Sequence, residues 1–94
     1  MPTDTQKISK SSQETRLTPM YRVLLHNDDV NDMIHVIHAL VDTFHFQFKE
    51  AEKIMLEAHT SGDVALCKIE PLEPAELHRD KLQSFSLTAT IEPA

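Results

Sequence analysis

Residues 20–44 read MYRVLLHNDDVNDMIHVIHALVDTF, and a change of period inside this stretch decides the fold. Up to Leu25 the large residues alternate, with Tyr21, Val23 and Leu25 on one face, the pattern of a strand resting on a core. From Met33 the apolar residues recur at spacings of three and four instead. Met33, Val36, Ile37, Leu40, Val41 and Phe44 make the buried stripe of a helix running to about His45. Asn27 to Asp32 separate the two patterns. Short amides and carboxylates bond to neighbouring backbone N–H groups, so this is turn chemistry, and Asn31 or Asp32 is placed to cap the helix.

The periods continue downstream. Ala51, Ile54, Met55 and Ala58 form the stripe of a second helix over about 48–60, and Gly62, the only glycine of the chain, stands where a helix stop favours a left-handed residue. Residues 64–69 are apolar on both faces, Val64 and Leu66 on one and Ala65, Cys67 and Ile69 on the other, which predicts a strand covered on both sides. Pro71 and Pro74 end that run, and Pro74 suits the first turn of a short third helix ending near Gln83. Phe85, Leu87, Ala89 and Ile91 alternate as a last strand. The order β-α-α-β-α-β predicts an α+β domain, a three-stranded antiparallel sheet with helices packed on one face. It spans residues 19–94, after a polar N-terminal segment, 1–18, that reads as a mobile tail.

Composition narrows the function. Ninety-four residues with 40% apolar content suit one two-layer domain. The net charge of −6 argues against nucleic acid, whose phosphates call for a surface of Lys and Arg. No run reaches the roughly 18 apolar residues of a membrane span, and the first residues, MPTDTQKISKSS, lack the apolar centre of a secretory signal. The single Cys67 forms no internal disulfide, which fits a reducing, cytoplasmic setting.

Three kinds of chemistry compete for the polar residues. His35 and His38 share a helix face and Cys67 could join them, so a small metal-binding protein using His and acidic neighbours is one alternative. Against it, zinc spacings such as C-x-x-C and H-E-x-x-H do not occur, and Asp28, Asp29 and Asp32 lack the spacing of a calcium loop; the expectation is no metal and no cofactor. Cys67 sits in an apolar pattern, where a thiol stays protonated, so no catalytic residue is assigned and the chain is not expected to be an enzyme. Binding remains. Taken one at a time, the acidic residues also fit a solvated turn with a cap, His59 a response to a helix dipole, and Met33 and Met55 core filling facing the sheet.

Taken together they resemble one family. YRVLLHNDD with Met33, Val36 and Ile37, IMLEAHTSG at 54–62 and the closing SLTATIEP are similar to ClpS, the adaptor of the ATP-dependent Clp protease, most of all to its cyanobacterial and plastid branch. The likeness covers about residues 20–94. It implies an adaptor that binds the N-terminal Phe, Tyr, Trp or Leu of a substrate, an N-degron, and delivers it to a Clp/Hsp100 unfoldase. On the matching positions Asn27, Asp28 and His59 would hold the terminal ammonium and first peptide group. Met33, Val36, Met55, Ala58 and Leu87 would enclose the side chain, with Met33 as a gate against β-branched guests. The implied partner is the N-domain of a ClpA- or ClpC-like ATPase, met by a monomer. Candidate contacts on the third helix are Glu73, Glu76, His78, Arg79 and Lys81.

The sequence departs from the family pattern at His26, at Val30-Asn31-Asp32 in place of Tyr-Thr-Pro, and at Ala58 in place of the common Val, which widens the expected pocket floor. The third helix is also shorter than the bacterial form. These departures keep a further alternative open, an interaction module of the same fold without N-degron binding.

Overall fold

The computed structural model describes residues 18–60 and 63–94. The tail expected over 1–18 lies outside them except for Thr18, and so does Gly62 with its expected role as a helix stop. Strand β1 (Met20–His26) is followed by helices α1 (Met33–Phe44) and α2 (Phe48–Thr60), strand β2 (Val64–Pro71), helix α3 (Leu72–Ser84) and strand β3 (Ala89–Pro93). The strands form one antiparallel sheet in the order β2-β1-β3. This is the α+β arrangement that the change of period predicts.

The strand over 20–26 lies in the centre of the sheet and carries the inward residues Val23 and Leu25. They meet Ile37, Leu40 and Phe44 of α1, Ile54 and Met55 of α2, and Leu82 of α3 in a single core. Fully burying Leu40, Leu82 or Val23 stabilises the fold by roughly 1.5–3 kcal/mol each. Phe46 stacks on Phe44 at 5.0 Å between ring centres and closes the core beyond the end of α1. His45 ends α1 in the left-handed region, φ 61°, with its N–H donating to the Val41 carbonyl at 2.8 Å.

Two expectations about strands are corrected. β2 is an edge strand covered on one side only: Ala65 and Cys67 point into the core while Val64, Leu66 and Ile69 face outward. The mixed pattern comes from a bulge opposite Val23–Leu24, where the pairing steps from Lys68 to Leu66 and leaves Cys67 between them. An extra residue in one strand shifts its alternation, so the buried set runs Ala65, Cys67, Glu70. The last strand starts at Ala89 rather than Phe85. Phe85 and Ser86 instead close α3, Ser86 with φ 68°, and Leu87 is buried before the strand begins.

Glu70 is the buried charged residue among those described, 5% exposed. His78 of α3 bonds its carboxylate at 2.5 Å and Lys68 approaches at 3.7 Å, so the group enters the core with partners. No described helix is long and apolar enough to cross a membrane.

Candidate functional site

β1 delivers its last residues into a turn that is tied from three directions. His26 N–H donates to the Thr88 carbonyl at 2.9 Å and Asn27 N–H to the Asp63 carbonyl at 2.7 Å, anchoring the turn to the loops before β3 and β2. Within it Asp28 Oδ1 accepts from the N–H groups of Val30 at 3.1 Å and Asn31 at 2.8 Å. The Asn31 side-chain amide reaches both oxygens of Asp28, at 3.1 and 3.0 Å, and also donates to the Ser86 carbonyl at 2.8 Å. The turn is thus closed by Asp28. Asp32 stands at the N-cap of α1 in extended conformation, and its carboxylate makes no capping bond.

Burial pushes the Asp28 carboxyl up, but the bonds from the Asn31 main chain and side chain, with those from the Val30 and Thr88 main chains, outweigh it. The group sits below its ordinary value of 3.8. Asp28 is therefore a carboxylate at neutral pH.

Beside this turn lies a cavity of about 300 Å³. Leu25 forms its base from β1, Met33 and Val36 come from the first turn of α1, and Met55, Ala58 and His59 from the C-terminal half of α2. Asn27, Asp28, Asp29, Asn31 and Asp32 make the polar side, with His26. Among the described residues that line it are three carboxylates and no Lys or Arg. The walls change character over a few residues: Ala58 and Met55 are buried, whereas Met33, 43% exposed, stands at the rim. Met33 therefore does not face the sheet as the helical stripe suggests: in the first turn of α1 it lines the cavity and stays exposed.

Seven of the eight residues expected at the site converge on this cavity: Asn27, Asp28, His59, Met33, Val36, Met55 and Ala58. Leu87 does not; it is 4% exposed and belongs to the core. The loop that follows α3 turns Leu87 under the sheet-facing side of that helix, where its N–H donates to the Leu82 carbonyl at 3.2 Å. Five lining residues lie outside that expected set: Leu25, His26, Asp29, Asn31 and Asp32. Leu25 looked like core alone, and Asn31 looked like a cap, although an Asn three residues after an Asp in a turn is itself a signal for a side-chain clamp.

The candidates on α3 divide. Glu73 and Glu76 are exposed; Lys81 pairs with Asp42 at 3.3 Å and Arg79 with Asp80 at 3.0 Å. His78 is engaged with the buried Glu70 and with the Phe44 ring, 4.8 Å between ring centres. His35 does not join His38 and Cys67: its Nε2–H donates to the Phe85 carbonyl at 2.7 Å, and Cys67 is buried in the sheet. Among the described residues no group of three His, Cys, Asp or Glu is arranged to hold a metal ion.

Residues 16–90 match the family model described as ATP-dependent Clp protease adaptor protein ClpS. The ATP-dependent Clp protease adapter protein ClpS of Gloeobacter violaceus is 42% identical over 90 residues, 95% of this chain and 96% of the relative. That of Synechococcus elongatus is 40% identical over 96 residues, 99% and 98% of the two chains. The structure of Agrobacterium tumefaciens ClpS2 bound to L-phenylalaninamide is similar with a TM-score of 0.77, at 25% identity, and the match covers 82% of this chain and 99% of that one.

Proposed function

Because the chain belongs to the ClpS family of Clp protease adaptors, we propose that its cavity beside Asn27–Asp32 receives the N-terminal residue of a substrate protein. One observation carries the reading: an apolar cavity opens directly onto a cluster of acceptors that contains a fixed carboxylate and, among the described residues, no Lys or Arg. A free chain terminus has the complementary form, an ammonium with only donors followed at once by a side chain. The relative bound to L-phenylalaninamide carries a ligand of this kind, a free amine, a benzyl group and a first amide.

In this reading Asp28 and the Asn27 side-chain oxygen accept from the ammonium, and His59 meets the first peptide group. Charge-assisted bonds contribute roughly 1.5–3 kcal/mol each, and burying a large apolar side chain against Met33, Val36, Met55 and Ala58 contributes a similar ~1.5–3 kcal/mol. After the costs of association, micromolar affinity for termini beginning with Phe, Tyr, Trp or Leu is expected. Selectivity against blocked termini follows from electrostatics. An acetylated terminus brings no positive charge, so a peptide that covers Asp28 leaves a desolvated carboxylate unpaired. Chemistry on the substrate falls to the protease, and the adaptor only selects.

A Clp ATPase partner follows from the family; the finer reading is the N-domain of a ClpA- or ClpC-like unfoldase, met by a monomer in the cytoplasm. The exposed Glu73, Glu76 and Lys81 of α3 are the contacts we favour, with Arg79 at their margin. His78 is the least suited, since a partner would compete with Glu70 for it.

The test is fluorescence anisotropy of labelled peptides beginning with Phe or Leu, against N-acetylated and Gly-initiated controls, for the wild type and Asp28→Ala. Binding of the free hydrophobic terminus alone, lost in Asp28→Ala with the fold intact, is the expected result. No binding of any peptide by folded wild type would overturn it and leave an interaction module of the same fold.

A further inference from the structure

Asn31 spends both hydrogens of its side-chain amide on two different segments. One is shared between the oxygens of Asp28 at 3.1 and 3.0 Å, and the other goes to the Ser86 carbonyl at 2.8 Å. Its main-chain N–H gives Asp28 a third bond, at 2.8 Å. Ser86 is itself unusual, a non-glycine residue at φ 68° directly after α3, a conformation that persists only when its surroundings fix it. The preceding Phe85 carbonyl takes the His35 Nε2–H at 2.7 Å. Side chains from the turn and from α1 thus grip two successive carbonyls of one loop.

This arrangement leaves the Asp28 carboxylate lopsided. Among the described residues Oδ1 accepts three bonds, from Val30 N–H, Asn31 N–H and the Asn31 amide, and Oδ2 accepts from the Asn31 amide, while the Thr88 main chain also bonds the carboxylate. A carboxylate has about four lone-pair sites in all, two on each oxygen. Oδ1 is therefore the more committed oxygen, and the rotation that would exchange the two is opposed by the same bonds.

We propose that Asn31 is the positioning residue of the acceptor site: by clamping Asp28 to the Ser86 carbonyl it presents Oδ2 to an incoming ammonium. The proposal rests on the reading that a free chain terminus binds in the adjoining cavity. Its physical content is preorganisation, since a side chain ordered before the ligand arrives does not have to be ordered by it. Asn31 itself need not touch the ligand. Removing its side chain should free the carboxylate to rotate and loosen the tie to the loop after α3, while Val30 N–H and Asn31 N–H keep the turn closed.

The experiment compares wild type, Asn31→Ala and Asn31→Ser for a Phe-initiated peptide with a free or acetylated terminus, and follows the Asp28 side-chain carboxyl by NMR in the free protein as pH falls. The other titratable groups around the carboxylate are Asp29 and Asp32 of the turn, His26 at the end of β1 and His59 on α2, with His35 behind the Phe85 loop. Their resonances are followed together with it. Asn31→Ala should weaken the free-amine peptide roughly 3- to 10-fold and shift the Asp28 midpoint upward, because two of its bonds have gone while its burial remains. Asn31→Ser keeps one hydroxyl donor, which cannot serve both Asp28 and Ser86, and should fall between; it also serves if the alanine variant does not fold. An Asp28 midpoint and an affinity both unchanged in folded Asn31 variants would overturn the proposal. Wild type that does not distinguish free from acetylated peptide would instead overturn the reading beneath it, whatever Asp28 does.

Discussion

Ala58→Val puts two more carbons on the wall of the cavity and tests whether this pocket reads the size of a side chain. Ala58 is 3% exposed and lies between Met55 and His59 on α2, with the cavity on its outer side. At about 300 Å³ the cavity is at the small end of the ~300–1,000 Å³ usual for ligand pockets, so a loss of room should be felt. A Leu side chain that leaves space unused would gain contact with the new methyl groups, at most ~0.8 kcal/mol for each CH₂ buried. A Trp side chain that fills the space would be overpacked, at a cost of ~1–3 kcal/mol, or about 5- to 150-fold in affinity at 1.4 kcal/mol per tenfold. The ratio of the two dissociation constants should therefore move by about an order of magnitude toward Leu, with Phe between them. Valine in a helix costs up to ~0.7 kcal/mol relative to alanine, so Tm should drop by about 3–6 °C, which checks that the variant folds. Competition of unlabelled Leu-, Phe- and Trp-initiated peptides against one labelled peptide measures all three constants on the same scale. A common factor for all three, with their ranking preserved, would refute the size argument.

Four other outcomes are expected. Thr43 has a buried hydroxyl with no hydrogen-bond partner among the described residues, so Thr43→Val should stabilise the fold by roughly 1 kcal/mol, seen as a higher urea midpoint; a lower midpoint would show that the hydroxyl is satisfied. His78→Ala removes a partner of the buried Glu70 and should cost about 2 kcal/mol, partly recovered in the double variant with Glu70→Gln; simple additivity would contradict the pairing. Burial pushes the Cys67 thiol up from 9.0 to about 12, against a bond from the Leu25 main chain and with help from the Glu70 charge. Below pH 9 both states keep the proton and this stability is intact, whereas above it only the unfolded chain ionises. Wild type should therefore lose about 1 kcal/mol more than Cys67→Ala between pH 9 and 10, and equal losses would count against the burial. Residues 1–18, expected from their composition to be a mobile tail, are long enough to serve the unfoldase as a handle; deleting them should leave peptide affinity unchanged while slowing Clp-dependent degradation of a Phe-initiated substrate, and equal rates would count against that role.

Much of the fold is written locally, in periods. The alternation of Tyr21, Val23 and Leu25, the three-and-four spacing from Met33 to Phe44, and Pro74 in a first helical turn each depend only on neighbours a few residues away. Backbone geometry links such spacings to one face of one element, so the order β-α-α-β-α-β is legible before any packing is known. The acceptors Asn27 and Asp28 and the side chains of Met55 and Ala58 are legible too, as members of motifs that resemble a family.

Tertiary structure decided the rest, wherever a residue's role depends on what lies across a gap in the chain. Cys67 sits in a bulge because β1 pairs with β2 out of step, and that single extra residue turned an apparently two-sided strand into an edge with one buried face. Leu87 belongs to the core because the loop after α3 folds it under, while Leu25, read as core, also forms the base of the cavity. Asn31 reads as a helix cap until Ser86, 55 positions away, is brought beside it. Sequence spacing fixes which residues share a face; how the Asp28 carboxylate is held depends on Ser86 and Thr88, delivered by the loop beyond α3.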